Sequence, residues 1–431
     1  AASDVYKRQI KGRWAIDAMG RRRYLQKKLG FVKPATFKHS SVWFRVEGRA
    51  DVSDFVPETE KDWQDRVPDK NRYYSTNHLC AQGYWVWLIP LSSGYTSIGI
   101  VTNEAIHPFE EYHTYEKACK WLEKHEPLMA EYIKGKEPVD FMKLPNYSHS
   151  SLRVLSNRRW ACVGEAGVFA DPFHSSGSDL IAVANTYTTR AIELDLEGKL
   201  TEEIVDDYSD FIIGYRDRTA ERIRRYYLCF NNEVATGTKH IWDVMASFAF
   251  NTTLMCKSAL YDLEKRNIIM DSYERFSAID RLLQDMFLDW SAKSDRHITY
   301  DFLDLMTVPF FSEHRTRNFT PDPDNLDLIA DQVANIEMFE ELAQIIFLIA
   351  VADTMPEQLH RFADLRWINA KAISLDPDRW EADGLFQPES QPRDLGKVIE
   401  PLLNCLKIPQ PQLEIFRKWQ GANEMPILVG V

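Results

Sequence analysis

Two stretches of the chain concentrate residues that could do chemistry. The first is Trp160-Ala161-Cys162-Val163-Gly164-Glu165-Ala166-Gly167-Val168-Phe169-Ala170-Asp171-Pro172-Phe173-His174-Ser175-Ser176-Gly177. It reads as a buried strand running into a glycine-bearing loop and then into a helix N-terminus. A helix start presents free N–H groups and a partial positive charge, so it can hold an anion or an electron-rich ring edge. An acidic residue just past the strand, here Glu165, can accept hydrogen bonds from sugar-type hydroxyls. A plain structural role is the alternative: a strand–loop–helix link whose Asp and Ser residues cap the helix. The second stretch is Trp85-Val86-Trp87-Leu88-Ile89-Pro90. On a strand, alternation puts Trp85, Trp87 and Ile89 on one face. Here the plain alternative is a hydrophobic strand face closed by a proline that ends pairing.

The elements that must position these residues are legible in the pattern. Arg13–Ala18 reads as a short strand, followed by a Gly20 turn and a basic helix from Arg21 to Leu29 that ends at Gly30. Residues 35–105 read as β structure, with Tyr84–Leu91 and Tyr95–Val101 flanking the hairpin turn Ser92-Ser93-Gly94. Residues 110–134 read as helix, because Phe109, Tyr112, Ala118, Cys119, Trp121 and Leu122 fall near one face. Extended structure returns over 139–155, then a strand at Trp160–Val163, an irregular loop through Gly177 and a long helix from about Asp179 to Leu194. Beyond it nearly everything reads as helix with short breaks, as in Glu202–Ala235, Ile241–Leu263, Phe276–Trp290 and Leu326–Ala352. The change near residue 196, from mixed α/β to all-α, predicts a subdomain boundary.

Composition narrows the function classes. With 431 residues, 45% of them hydrophobic, the chain can bury a large core. The 52 basic and 64 acidic residues give a net charge of −12, the wrong balance for general binding to nucleic acid or an anionic membrane. The six cysteines are scattered without a Cys-x-x-Cys pair, which argues against a disulfide framework or a zinc site and fits a reduced, cytoplasmic setting. The longest apolar run, Leu342–Ala352, is too short to span a bilayer and reads as a buried helix. Ala1–Gln9 shows neither a signal-peptide pattern nor amphipathic periodicity. The start therefore reads as a chain that begins in mid-gene, with a few spurious residues at the front.

Together these motifs resemble those of the flavin-dependent halogenases, within the para-hydroxybenzoate-hydroxylase-like FAD oxidoreductases. Trp85 to Pro90 resembles the Trp-x-Trp-x-Ile-Pro signature at every fixed position. Gly164-Glu165-Ala166 resembles the second FAD motif, usually Gly-Asp-Ala. Phe169, Pro172, Ser175 and Gly177 match the pattern Phe-x-x-Pro-x-x-Ser-x-Gly. Asp17-Ala18-Met19-Gly20-Arg21 is similar to an Asp-Ala-x-Gly-Arg element that precedes both.

The resemblance implies FADH2-dependent halogenation of an electron-rich aromatic, through a flavin hydroperoxide and hypohalous acid. It implies FAD and chloride or bromide as cofactors, a separate flavin reductase as partner, and a small-molecule or carrier-tethered aromatic substrate. Position by position, Glu165 stands where the family has its flavin-binding Asp, and Pro172 would lie against the ring system. Ser176 and Gly177 would offer backbone N–H groups to the halide. Ser178 to Ile181, with Asp179 among them, would sit near the flavin pyrimidine edge. Trp85 and Trp87 would discourage ordinary monooxygenation.

Three departures stand out. Glu165 is one carbon longer than the usual Asp, and His174 replaces a Glu important to catalysis in tryptophan halogenases. His174 is either a general base or a loop residue bonded to a backbone carbonyl. The family's Gly-x-Gly-x-x-Gly motif and active-site Lys are not in this sequence, and the 16 residues before Asp17 are fewer than a βαβ unit needs. The expected fold is α+β or α/β. It comprises a remnant of an FAD-binding domain over 1–34, a mixed-sheet substrate-side domain over 35–155, a strand–loop–helix with the halide loop over 156–197, and a large all-α region over 198–431. Rival readings are another FAD monooxygenase or oxidoreductase on the same scaffold, and a non-catalytic or partner-binding relative that lacks flavin.

Overall fold

The computed structural model describes residues 10–65, 67, 72–294, 305, 308–321 and 327–406. Its strands are β1 (Ala15–Asp17), β2 (Val32–Pro34), β3 (His39–Glu47), β4 (Asn77–Ala81), β5 (Tyr84–Pro90), β6 (Tyr95–Asn103), β7 (Asp140–Leu144), β8 (His149–Ser151), β9 (Leu155–Ser156) and β10 (Trp160–Cys162). Its helices are α1 (Tyr24–Leu29), α2 (Lys61–Gln64), α3 (Tyr115–His125), α4 (Pro127–Ile133), α5 (Ser176–Leu196), α6 (Glu202–Cys229), α7 (Glu233–Ala246), α8 (Thr253–Cys256), α9 (Leu263–Lys293), α10 (Pro309–Phe319), α11 (Leu328–Thr354) and α12 (Gly396–Leu406). The reading of Ala1–Gln9 and the end of the helical region beyond residue 406 lie outside the described residues. Contacts divide the chain into two compact units. One gathers Ala1–Ser41, Asn103–Ala105 and Leu144–Arg224; the other gathers Val42–Thr102, Ile106–Lys143 and Arg225–Val431.

In the first unit β1 pairs in parallel with β10, which pairs antiparallel with β9. A second small ribbon joins β2 to β8 antiparallel. The short helix α1 ends where the sequence requires, at Gly30 in the left-handed conformation (φ 76°), with the cap N–H bonded to the Gln26 carbonyl. Helices α5 and α6 pack through Tyr187 and Tyr208, whose rings stack at 4.3 Å. At the far end of α5, Asp195 accepts from Arg13, Trp14 and Arg159 and so ties the helix to the segments around β1 and β10.

In the second unit five strands form one sheet in the order β4-β5-β6-β3-β7. The expected hairpin is present: β5 and β6 pair antiparallel and Gly94 takes φ 82° in the turn. Alternation sorts β5 cleanly. Tyr84, Val86 and Leu88 enter a core with Val42, Phe44, Ile98 and Ile100 and with Trp121 and Leu122 of α3. The opposite face carries Trp85 and Trp87. The run Leu342–Ala352 is buried within α11, as its apolarity requires. No described helix is long and apolar enough to cross a membrane.

Several helix boundaries differ from the sequence reading. The helix expected over 110–134 is two, because Pro127 opens α4 at its first position and cannot continue α3. Glu202–Ala235 breaks after Cys229, where Asn232 caps α7 by accepting from the Ala235 N–H. The stretch from Ile241 is interrupted by a π-helical segment, Ser247–Thr252, and α8 ends at Cys256. The helix expected at Phe276–Trp290 starts earlier, at Leu263, where Asp262 caps it. Between α11 and α12 the chain runs through turns and short 3-10 segments rather than α-helix, since Pro356, Pro377, Pro388 and Pro392 interrupt it.

Candidate functional site

The parallel register Ala15↔Trp160 and Asp17↔Cys162 sends the chain out of β1 and β10 at the same edge. In α/β sheets, ligands gather beyond the carboxyl ends of such strands. After β1, the buried Asp17 carboxylate accepts from the Met19 N–H at 3.0 Å and the Leu25 N–H at 2.7 Å. It is therefore used up in folding the turn. That turn presents Arg21, whose guanidinium is pushed down by burial and drawn back up by the nearby carboxylate of Glu165.

After β10, Gly164 takes φ 55° and Gly167 lies so close to the Cys162 carbonyl that a Cβ would stand 2.7 Å from it. Between them Glu165 is half-buried, and its backbone carbonyl lies 3.0 Å from His149 Nε2. Burial, aided by the cations Arg23 and Arg216, pushes the His149 ring down to about 4, so it is neutral at pH 7. Phe169 exchanges two backbone hydrogen bonds with His149, each 3.0 Å, and its carbonyl also accepts from Arg216 Nε at 3.0 Å.

The loop then turns on Asp171, which is 1% exposed. One carboxylate oxygen accepts from the Phe173 N–H at 2.9 Å. The other accepts from Tyr147 OH at 2.6 Å and lies 2.9 Å from His39 Nδ1. Past Pro172, two consecutive non-glycine residues, His174 (φ 59°) and Ser175 (φ 54°), adopt the left-handed conformation. Each costs on the order of 1–3 kcal/mol, so the surroundings must hold them there. Ser176 returns to right-handed geometry (φ −57°) and starts α5. A left-to-right alternation turns successive N–H groups inward into an anion-binding concavity.

Here the sequence reading is corrected. The helix begins at Ser176, three residues before the expected Asp179, because the reversal at His174–Ser175 is complete by then. The capping alternative also fails locally. Ser175 stands at the cap position but makes no side-chain cap bond, and Ser176 Oγ donates instead to the Asp171 carbonyl at 2.8 Å. The N–H groups of the first turn thus keep their donor capacity, with the helix dipole behind them.

The first unit therefore brings together Glu165, Pro172, His174, Ser176, Gly177, Asp179 and Ile181 along one loop and one helix turn. His174 is exposed and lies against Phe173, ring centroids 4.1 Å apart. Asp179 accepts from Tyr215 OH at 3.3 Å, and burial raises its carboxyl. Ile181 is 46% exposed and flanks Gly164. Trp85 and Trp87 belong to the second unit. Trp85 is 2% exposed and donates to Tyr227 OH at 2.8 Å. Trp87 donates to Ser97 Oγ at 3.1 Å and lies flat on Gly99, where a Cβ would stand 2.2 Å from the indole. Trp43 and Trp85 flank Trp87 at 6.4 and 5.7 Å, so this sheet face is an indole platform.

Sequence reasoning missed His39, Tyr147, His149, Arg216 and Gly99. A glycine inside a strand pattern signals a close approach, so Gly99 carried a usable sign. The other four carry no local sign, since topology alone brings them to the loop.

No protein-family model matches the chain. A flavin-dependent halogenase of Dictyostelium discoideum is 35% identical over 126 residues, 28% of this chain and 21% of that protein. A 1H-pyrrole-2-carbonyl-[peptidyl-carrier protein] chlorinase of Pseudomonas fluorescens is 28% identical over 225 residues, 48% of this chain and 47% of that protein. The matched stretch thus spans no more than about half the length of these relatives. Among solved structures, the halogenase PltM in complex with phloroglucinol and FAD aligns with a TM-score of 0.48 and 15% identity over 83% of this chain and 67% of that one.

Proposed function

We propose that this chain, which belongs to the flavin-dependent halogenase family, supplies the halide loop and the ring-facing side of an FAD site in an enzyme that halogenates electron-rich aromatics. The observation that carries the reading is the uncapped first turn of α5, reached through the left-handed pair His174–Ser175. Its N–H groups suit a halide, and in this reading those of Ser176 and Gly177 bind it.

The residues present fit one side of the flavin. Glu165 offers a half-buried carboxylate for ribitol hydroxyls, Pro172 an apolar ring contact, and Asp179 and Ile181 a flank for the pyrimidine edge. The adenosine diphosphate side would need a glycine-rich phosphate cradle, and the sequence holds no Gly-x-Gly-x-x-Gly. When bound in reduced form, FAD with dioxygen supplies the oxidising equivalent that makes the halide electrophilic. The chain's own residues then have three tasks. The amides of Ser176 and Gly177 fix the halide. His174, exposed beside them in sequence, takes up or positions a proton. Trp85 and Trp87 furnish an apolar aromatic wall that favours halogenation over oxygen transfer to substrate.

The substrate is an indole, phenol or pyrrole, free or carrier-tethered; two relatives are named for pyrroles held on a peptidyl carrier protein. A separate reductase delivers FADH2, and the reaction runs in the cytoplasm. In domain terms, 1–34 and 156–197 serve the flavin and 35–155 the substrate side.

The test is turnover of indoles, phenols and carrier-tethered pyrroles by the gene product that carries this chain, with a flavin reductase, oxygen and bromide, read by mass spectrometry. Products with the bromine isotope doublet support the reading. Hydroxylated products alone would replace it with monooxygenation. A gene product that fails to quench flavin fluorescence would replace it with a flavin-free role.

A further inference from the structure

The halide reading leaves open what holds the left-handed turn in place, and the first unit answers with one buried residue. We infer that Asp171, gripped by His39 and Tyr147, is the positioning residue of the halide loop: it fixes the turn that aims the Ser176 and Gly177 amides. This rests on the reading of those amides as the halide site.

Asp171 controls both ends of the turn Pro172–Ser175. Its carboxylate holds the entrance through the Phe173 N–H at 2.9 Å. Its backbone carbonyl holds the exit by accepting from Ser176 Oγ at 2.8 Å. The carboxylate in turn cannot rotate, because Tyr147 OH donates to it at 2.6 Å and His39 Nδ1 lies 2.9 Å away. His39 and Asp171 side chains are 0% and 1% exposed, so water does not compete for these bonds. Burial alone would drive the carboxyl toward its neutral form. The hydrogen bonds from His39, Tyr147 and the Phe173 N–H reverse that and hold it below the usual carboxylate range.

The arrangement needs a carboxylate rather than an amide. Three donors converge on two oxygens, and an amide offers one oxygen and two donors. The direction of main-chain N–H groups follows from φ and ψ of His174 and Ser175, and those angles are ones a non-glycine residue leaves when free to do so. Loosening Asp171 therefore leaves the donors in existence but no longer convergent. The expected loss is in anion affinity, with the sheet and helices intact.

The experiment needs no flavin. Chloride binding to the full chain is read as 35Cl NMR line broadening that bromide displaces, with circular dichroism and thermal midpoint recorded in parallel. Asp171→Asn is expected to weaken halide binding about tenfold, the factor for one misaligned charge-assisted bond. Tyr147→Phe, which removes one tether and leaves the Asp171 carboxylate its His39 and Phe173 contacts, is expected to weaken it roughly threefold and carries the test if Asp171→Asn does not fold. His39→Leu is expected to match Asp171→Asn, and His39→Asn, which restores a donor at the Nδ1 position, is expected to recover affinity to within about twofold of wild type. In the halogenation assay, the bromide KM rises in Asp171→Asn, Tyr147→Phe and His39→Leu while the KM for the aromatic substrate stays.

Wild-type broadening that Asp171→Asn and Tyr147→Phe leave unchanged would overturn the inference and spare the halide reading. A wild-type chain with no bromide-displaceable broadening overturns both. Failure of His39→Asn to recover what His39→Leu loses also overturns the inference.

Discussion

The two units bury polar side chains for different ends. In the first, they terminate on the backbone of an irregular loop. Asp171 holds the Phe173 N–H, Arg216 holds the Phe169 carbonyl, and His149 lies against the Glu165 carbonyl. In the second, one buried network runs from side chain to side chain, within and between helices. Lys239 donates to Asp243 and to Gln284, both at 2.6 Å, and Gln284 donates back to Asp243 at 2.8 Å. Asn318 and Asn335 bond each other, and Thr253 donates to Asn318. A polar group spent on loop backbone fixes where main-chain donors point. A polar group spent on another helix fixes how the helices register. The first kind belongs beside a ligand site; the second stabilises a scaffold.

The largest effect that would break this distinction lies in the second unit. Lys239 is fully buried, and Tyr226 lies beneath its ammonium at 4.2 Å. Lys239→Met leaves Asp243 without its cation in the interior, and such a change costs about 3–5 kcal/mol. Urea denaturation of the full chain measures it. Halide-dependent line broadening should stay at the wild-type level wherever the variant is folded. A parallel loss of halide affinity would mean that the helical network, too, shapes the loop.

Acid sharpens the same contrast. Each unit holds a buried histidine pushed down to about 4, bonded to backbone carbonyls. His149 in the first is depressed by burial, then by Arg23 and Arg216, against the pull of the Tyr147 and Glu165 carbonyls. His314 in the second is depressed by burial and Arg317, against the Met245 carbonyl. Both folded values lie below the ordinary 6.5. Their stabilisation is thus fully present above pH 6.5 and is lost as pH falls toward about 4. Between pH 7.5 and pH 5 each should remove roughly 2 kcal/mol. His314→Gln keeps a donor for Met245 and should flatten that dependence in urea unfolding while halide binding at pH 5 is unchanged. His149→Gln should flatten it too but alter halide binding, since His149 grips the loop. Equal effects of both variants on halide binding would dissolve the contrast.

Legibility in the sequence follows the same divide. The β5–β6 hairpin was readable because its turn is local and its faces alternate: Trp85 and Trp87 emerge on one side and Val86 and Leu88 on the other. The loop from Gly164 to Gly177 was readable as a loop and helix start. The helix start was read three residues late because Ser176-Gly177-Ser178 has loop-like composition, whereas the preceding left-handed pair had already reversed the chain. The partners that hold the loop were not readable. His39 is 132 residues from Asp171, Tyr147 is 24 away, and Arg216 is 47 from Phe169. Local pattern cannot report such pairings. In the helical region, periodicity found the long apolar runs but not the π-helical segment at Ser247–Thr252, on which a distant residue also bears: Gln332 donates to the Ala249 carbonyl.

The smallest of the expected effects probes a place where the second unit sets a side chain of the proposed site by backbone proximity, as the first unit does. Trp87 lies on Gly99, with its Cζ2 2.2 Å from where a Cβ would stand. The cross-strand partner of Trp87 in β6 is Gly99 itself, and Ser97, two residues on, accepts from the indole N–H. Gly99→Ala must push the indole off the sheet, break the bond to Ser97 and disturb the packing with Trp43 and Trp85. Overpacking of this kind costs about 1–3 kcal/mol. It should appear as a shifted tryptophan emission and near-ultraviolet dichroism, with halide line broadening unchanged because the proposed halide loop belongs to the first unit. In the turnover assay the hydroxylated fraction of product should rise, since the aromatic wall no longer stands where Trp87 put it. An unshifted emission spectrum would show that the indole tolerates a methyl group beneath it, and the strand glycine would then have no positioning role.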